Sequence, residues 1–247
     1  KQGMVPVVAL YSTFLQRSYD MILQDAGILG LHVVFAVDRA GLVGEDGETH
    51  HGLFDVGFLR HVPGMMVLCP ASTRELQDMM RWAVLKDTGP IAVRYPRGGD
   101  RGYTESAWDM ESPKAVCMHR NGEHVTLITY GTLVNNAEKA AELLEQRGIS
   151  ASVLRLTAVA PLDAASVRRQ LSDQKAVIIL EETLKGRGIG QTLAYDLANL
   201  GFAGSVHCRD LGDAYVSHGA VDTLYKHHGL DAVGIAAYAL EVLKVEN

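Results

Sequence analysis

Three short segments of the chain concentrate residue types that can bind a phosphate group and transfer a proton. They read YSTFLQR at residues 11–17, DRAGLVGEDGETHHG at residues 38–52 and RYPRG at residues 94–98. An arginine in a glycine-containing loop can donate two parallel hydrogen bonds to one phosphate group, which a lysine cannot do. Histidine changes its protonation state near neutral pH, so it can act as an acid or a base. The segments indicate a site for a phosphorylated small molecule.

Each segment follows an apolar run that predicts a buried parallel strand. Together with one further short run, the predicted strands cover residues 5–10, 31–37, 67–69 and 91–94. Thr13 with Gln16, and Ser72 with Glu75, are spaced as capping boxes and predict the starts of two helices, the second reaching about residue 86. Ligands of open α/β sheets bind at the carboxyl ends of strands, so we expect the three segments to meet at one sheet edge.

A second block of alternating strands and helices begins near residue 125. The predicted strands cover residues 125–129, 151–155, 175–180 and 205–209, and the predicted helices cover residues 133–147, 163–172, 188–200 and 233–245. Between the blocks, the sequence is polar and rich in turn residues. The expected fold is therefore α/β, with two doubly wound domains at residues 1–98 and 123–247 and a linker at 99–122.

Composition excludes several classes of protein. The 247 residues carry a formal net charge of -6, so nothing suggests a nucleic-acid binder. No apolar run reaches transmembrane length, and no signal peptide is visible. The three cysteines include no Cys-x-x-Cys pair, which argues against a disulfide framework or a zinc site and favours a reducing cytoplasm.

Each candidate site residue also has a purely structural interpretation. Arg39 can pair with Asp38 or Asp46, and an aromatic residue such as Phe14 in the first turn of a helix is more often part of the core. His50 is followed directly by His51, so their side chains diverge, which argues against a two-histidine metal clamp. The convergence of three loops on one sheet edge favours the functional interpretation.

The three segments resemble, in order and without visible gaps over residues 5 to about 99, the pyrimidine-binding domain of 1-deoxy-D-xylulose-5-phosphate synthases. The wider transketolase superfamily shares the fold but not these loop sequences. The resemblance implies a thiamine-diphosphate- and Mg²⁺-dependent transferase that condenses pyruvate with D-glyceraldehyde 3-phosphate, releasing CO₂. The product, 1-deoxy-D-xylulose 5-phosphate, leads to isoprenoids, thiamine and pyridoxal phosphate.

The same resemblance assigns roles to individual residues. It implies that Phe14 and Arg17 lie beside the aminopyrimidine ring of the cofactor, and that Asp46 and His50 face the reacting carbons. The substrate phosphate would be held by three residues, one from each segment: Tyr11, Arg39 and Arg97.

The second block is similar to the transketolase C-terminal domain, which helps to assemble a homodimer. It shares a glutamate pair, Glu181 and Glu182, followed by a glycine turn. It departs at residues 157–163, TAVAPLD, where the basic residues usual in the family are missing. The glycine turn at residues 186–190, with Asp210 twenty residues later, superficially fits a dinucleotide fingerprint, but the intervening carboxylates would repel a pyrophosphate.

The start of the sequence suggests a cut within the first domain, because Lys1–Met4 lead directly into a strand. In the family, a catalytic glutamate and the domain that binds the diphosphate and Mg²⁺ precede this point. We therefore expect no metal ligand in this chain, no activity from it alone, and an N-terminal segment of the same enzyme as its partner. Two alternatives remain: another transketolase-like or 2-oxoacid dehydrogenase β-type enzyme, and a non-catalytic module that binds a nucleotide or a partner.

Overall fold

The computed structural model describes residues 2–86, 89–171 and 174–245. Ten strands are described: β1 Val7–Tyr11, β2 Val34–Asp38, β3 Met66–Leu68, β4 Ile91–Arg94, β5 Val116–Arg120, β6 Val125–Tyr130, β7 Ala151–Leu156, β8 Ala158–Ala160, β9 Ala176–Leu180 and β10 Ser205–Arg209. They form two five-stranded sheets in the orders β1-β2-β4-β3-β8 and β10-β9-β6-β7-β5. All pairs are parallel except β8 with β3 and β5 with β7.

Helices connect the parallel strands. Their bounds are α1 Ser12–Leu15, α2 Tyr19–Met21, α3 Asp55–Leu59, α4 Thr73–Leu85, α5 Val134–Glu145, α6 Ala164–Gln170, α7 Gly190–Asn199, α8 Val221–His228 and α9 Ala232–Val245. A 3-10 turn at Gln16–Ser18 joins α1 to α2, and a π-helical segment at Ile22–Gly27 follows. The α/β class predicted from the sequence is confirmed, with two mostly parallel sheets.

One of the two predicted helix starts is confirmed and the other is wrong. Ser72 caps α4, because its hydroxyl accepts a hydrogen bond from the Glu75 backbone N–H. Helix α1 instead begins one residue before Thr13 and has no side-chain cap. The Thr13 hydroxyl donates to the Thr49 carbonyl oxygen at 3.0 Å, so it fixes a loop rather than a helix end.

Long-range pairing also changes the predicted division of the chain. Strand β5 lies within the stretch 99–122 that was expected only to link the domains, and it pairs antiparallel with β7. Strand β8, from the second block, completes the first sheet beside β3. Helices α3 and α8 were not predicted either, because each is short. The predicted helix end at residue 172 lies outside the described residues.

A buried ion pair joins the two blocks. The Arg155 guanidinium, on β7, donates two hydrogen bonds of 2.7 Å to the Glu75 carboxylate, on α4. Both side chains have 0% exposure. One apolar cluster spans both blocks as well, from Leu15 and Phe35 in the first to Leu193 in the second. The two sheets are therefore packed as one body around shared buried contacts.

Candidate active site

The three segments singled out by their composition meet because their strands are neighbours. Strands β1, β2 and β4 lie side by side, and their register places Tyr11 opposite Asp38 and Val37 opposite Arg94. The carboxyl ends of the three strands therefore lie level at one edge of the sheet. The loops that leave them start from adjacent positions, as the sequence predicted.

Two arginines from different loops converge on one carboxylate oxygen. Asp46 Oδ2 accepts a hydrogen bond from Arg39 Nη1 at 2.5 Å and from Arg97 Nη1 at 3.0 Å. Arg97 is 50% exposed, and Arg39 and Asp46 are partly exposed. The Arg39 guanidinium carbon also lies 4.1 Å from the centre of the Tyr11 ring. The cluster thus presents two guanidinium groups to solvent with donors aimed at a single point.

The backbone of Arg39 is held in an unusual conformation. Its φ of 58° lies in the left-handed region, which a residue with a side chain seldom adopts. Its N–H donates to Asp38 Oδ1 at 2.7 Å, and the next N–H, from Ala40, donates to the Tyr95 carbonyl oxygen at 3.0 Å. These two hydrogen bonds stabilise the turn despite the free-energy cost of its left-handed conformation. They also direct the Arg39 side chain towards Asp46 and Tyr11.

Aromatic rings form the other side of the site. Phe14 lies in the first turn of α1, yet its side chain is 41% exposed, so the interpretation of this residue as core is wrong. Its ring is stacked with Tyr11 at 5.6 Å between centroids, and it meets the His50 ring edge-on at 5.4 Å. Tyr11 therefore links the aromatic group to the arginine cluster.

The Arg17 side chain does not contact this cluster. It lies on the 3-10 turn after α1, is exposed, and makes no hydrogen bond or ion pair with any residue that the structure describes. Six of the seven predicted site residues are connected through contacts, and Arg17 stands three residues beyond Phe14 on the same helical segment.

The two adjacent histidines have different environments. His51 is 2% exposed; its Nδ1 accepts from the Val43 N–H at 3.1 Å, and its Nε2 lies 3.1 Å from the Ser217 carbonyl oxygen. His50 is half-buried beside Phe14, with Nδ1 2.9 Å from the Thr49 hydroxyl. Both ring nitrogens of His51 thus make contacts that hold the loop, whereas His50 borders the site.

The second block supplies a residue to this region that sequence reasoning missed. Glu182 Oε1 accepts hydrogen bonds from the Leu42 N–H at 3.1 Å and from the Tyr225 hydroxyl at 2.9 Å. Leu42 lies in the same loop as Arg39 and Asp46. A carboxylate directly after the buried strand β9 was visible in the sequence, but its partner is 140 residues away.

The glycine turn at residues 186–190, which resembled a dinucleotide fingerprint, is already hydrogen-bonded to a carboxylate of this chain. The Glu181 carboxylate accepts from the backbone N–H groups of Ile189 and Gly190, at 2.7 and 2.9 Å, and from the Tyr130 hydroxyl at 3.0 Å. Burial raises the pKa of Glu181. A pyrophosphate would have to displace this carboxylate from the start of α7, which argues against nucleotide binding there.

Residues 2–86, 89–171 and 174–245 contain neither a candidate metal centre nor a candidate membrane-spanning helix. No group of three or more His, Cys, Asp or Glu side chains there could hold a metal ion. None of the helices described is both long and apolar enough to cross a membrane.

Models of two protein families match the chain. The transketolase pyrimidine-binding domain matches residues 1–100, and the transketolase C-terminal domain matches residues 114–235. A solved structure described as "Split gene transketolase, inactive beta4 tetramer" superposes with a TM-score of 0.84 at 22% identity, covering 99% of this chain and 78% of that one. At this identity, the structural likeness shows the fold alone.

Curated relatives with the name 1-deoxy-D-xylulose-5-phosphate synthase are similar over nearly the whole chain. The protein of Heliobacterium modesticaldum is 43% identical over 98% of this chain, and that of Clostridium kluyveri is 41% identical over 99%. The chain spans only 37% and 39% of the lengths of these two relatives. The two domain matches show that the chain belongs to the transketolase family, and within it the chain is similar over nearly its whole length to 1-deoxy-D-xylulose-5-phosphate synthases.

Proposed function

We propose that this chain supplies one side of a thiamine-diphosphate-dependent active site that condenses pyruvate with D-glyceraldehyde 3-phosphate to 1-deoxy-D-xylulose 5-phosphate and CO₂. The observation that carries the proposal is the convergence of Arg39 and Arg97 on one point beside an exposed aromatic ring. A phosphate group beside Asp46 would receive the N–H donors that both partly exposed guanidinium groups do not use on that carboxylate. The relatives' name supports the reaction.

The aromatic side of the site fits the ring of the cofactor. An exposed Phe14 face offers a stacking surface for an aminopyrimidine, and the exposed Arg17 side chain, three residues further along, would lie beside the bound ring. When bound, thiamine diphosphate supplies the nucleophilic carbon for decarboxylation of pyruvate. The diphosphate and Mg²⁺ would be held by residues outside this chain.

The remaining residues position the acceptor and handle its protons. Tyr11, Arg39 and Arg97 would bind the phosphate of glyceraldehyde 3-phosphate, which places its carbonyl towards Phe14. His50, which borders that space, would pass a proton to or from the substrate oxygen atoms at its free ring nitrogen. Asp46, which accepts a hydrogen bond from each arginine, would keep the two together and face the reacting carbons.

A polypeptide partner would complete the site. Strand β1 is an edge strand; its first residue, Val7, is 49% exposed, and Met4, just before it, is 78% exposed. Such an apolar edge favours coverage by another segment, and the proposed occupant is an N-terminal part of the same enzyme. The similar solved structure is described as the inactive beta4 tetramer of a split gene transketolase. We further propose a homodimeric, cytoplasmic enzyme once the partner is bound.

The test is reconstitution. The chain should show no turnover alone with pyruvate, glyceraldehyde 3-phosphate, thiamine diphosphate and Mg²⁺. Mixed with the N-terminal portion of the Heliobacterium relative, it should release CO₂ and form the five-carbon product. Turnover by the purified chain alone would refute the shared-site proposal. Activity of the mixture with a ketose phosphate donor, but not with pyruvate, would identify a transketolase instead.

A further inference from the structure

The loop from Arg39 to Gly52 is closed at its base by its own backbone. Gly41 and Gly52 exchange two hydrogen bonds, of 2.9 and 2.8 Å. A Cβ atom on Gly52 would lie 2.3 Å from the Arg39 carbonyl oxygen, so only glycine permits this approach. The base of the loop therefore fixes where the chain leaves the sheet, but it leaves the path of the intervening residues open.

The second block holds that intervening path. The Gly219 N–H donates to the Gly44 carbonyl oxygen at 3.3 Å, and the His51 ring lies 3.1 Å from the Ser217 carbonyl oxygen. Leu42 is buried in the apolar cluster of the second block. The loop that carries the candidate phosphate site is thus packed against a part of the chain more than 130 residues away.

Glu182 provides a further side-chain link in this contact. Its Oε1 atom receives both the Leu42 N–H and the Tyr225 hydroxyl, and the residue is 9% exposed. Burial, followed by the nearby Glu182 charge, raises the pKa of Tyr225 well above its usual value, so the hydroxyl keeps its proton and donates. Hydrogen bonds to a carboxylate are stronger than those between neutral groups.

The loop and the carboxylate approach each other closely. Gly41 has a φ of 76°, and a Cβ atom there would lie 2.7 Å from Glu182 Oε1. Glycine at this position therefore serves two requirements, the left-handed turn and the space for the carboxylate. The fit indicates that the loop conformation and the position of Glu182 depend on each other.

We propose that Glu182 is a positioning residue that holds the 39–52 loop so that Arg39 and Asp46 stay at the candidate phosphate site. The expected effect on phosphate binding rests on the proposed function, whereas the contact between Glu182 and the loop does not. Leu42, the anchored residue, is only three residues after Arg39. Loss of this anchor would let the guanidinium drift, and displacements of about 1 Å can reduce activity by about a hundredfold.

The test uses three variants of the whole chain. Glu182→Ala removes both hydrogen bonds. Glu182→Gln keeps them, because both donors share one oxygen that the amide can supply. Glu145→Ala is the matched control, since that exposed carboxylate only pairs with Arg120. Hydrogen exchange of peptides covering residues 39–52 and 73–85 would be compared, and inorganic phosphate would be titrated by calorimetry.

In Glu182→Ala, exchange in the 39–52 loop should rise about tenfold and phosphate affinity should fall about tenfold, while α4 exchange changes little. The thermal midpoint should fall by a few degrees without loss of the fold, because two buried donors lose their acceptor. Glu182→Gln and Glu145→Ala should differ little from the unsubstituted chain in loop exchange, phosphate affinity and thermal midpoint. Unchanged loop exchange in folded Glu182→Ala overturns the inference, as does a uniform rise throughout the protein. If the starting chain binds no phosphate, the proposed phosphate role fails, and loop exchange still decides the role of Glu182.

Discussion

The buried ion pair between Glu75 and Arg155 should dominate the association of the two blocks. The carboxylate accepts two hydrogen bonds from the guanidinium at 2.7 Å, and two more from the backbone N–H groups of Ala71 and Ala107, at 2.8 and 3.1 Å. Replacing Arg155 by Met keeps an unbranched apolar stem but leaves a buried carboxylate with two backbone donors and no countercharge. The charge, rather than the lost volume, should determine the cost.

The expected cost can be worked out from this geometry. Two charge-assisted hydrogen bonds are each worth about 1.5–3 kcal/mol, and breaking a buried pair on one side costs about 3–5 kcal/mol. For a chain of this size, that corresponds to a drop of about 6–20 °C in the thermal midpoint. The matched control is Arg120→Met, which breaks an exposed pair with Glu145 and should cost less than about 1 kcal/mol.

Differential scanning calorimetry and urea unfolding of both variants would test this reasoning. The double variant Glu75→Gln/Arg155→Met should recover at least half of the loss, because no uncompensated charge remains buried. Equal midpoints for Arg155→Met and Arg120→Met would refute the claim that burial gives the pair its importance. A double variant less stable than Arg155→Met alone would show that lost packing, not charge, is responsible.

Three further predictions concern the candidate site, and turnover is measured in the reconstituted enzyme. Arg97→Ala should weaken the binding of glyceraldehyde 3-phosphate about tenfold to a hundredfold and that of pyruvate far less. Equal effects on the KM values of both substrates would exclude a role for Arg97 in phosphate binding. His50→Asn should lower turnover per folded molecule more than His51→Asn does; the reverse order would exchange their roles. His51→Asn should instead lower stability by about 1–3 kcal/mol in urea, because two buried partners lose their acceptor or donor; an unchanged midpoint would contradict this.

The sequence determined the parallel strands and the grouping of the site loops. Strands β4 and β10 occupy the predicted residues. For β4 the reason is that a strand buried on both faces is a mostly apolar run. Ser72 caps α4 as predicted, because capping depends on groups three residues apart. Tyr11, Arg39 and Arg97 come together because the carboxyl ends of neighbouring parallel strands share one edge.

Tertiary structure decided what depends on distant partners. Strand β8 is three residues of ordinary composition, and only pairing with β3 makes it part of the first sheet. The sequence allowed the Arg39 side chain to pair with Asp38 or Asp46. In the folded chain, Asp46 pairs with both Arg39 and Arg97. Glu182 could be recognised as a carboxylate after a strand, but not as the anchor of Leu42. Local patterns encode secondary structure, whereas the partner of a buried charge is chosen by packing between segments far apart in the chain.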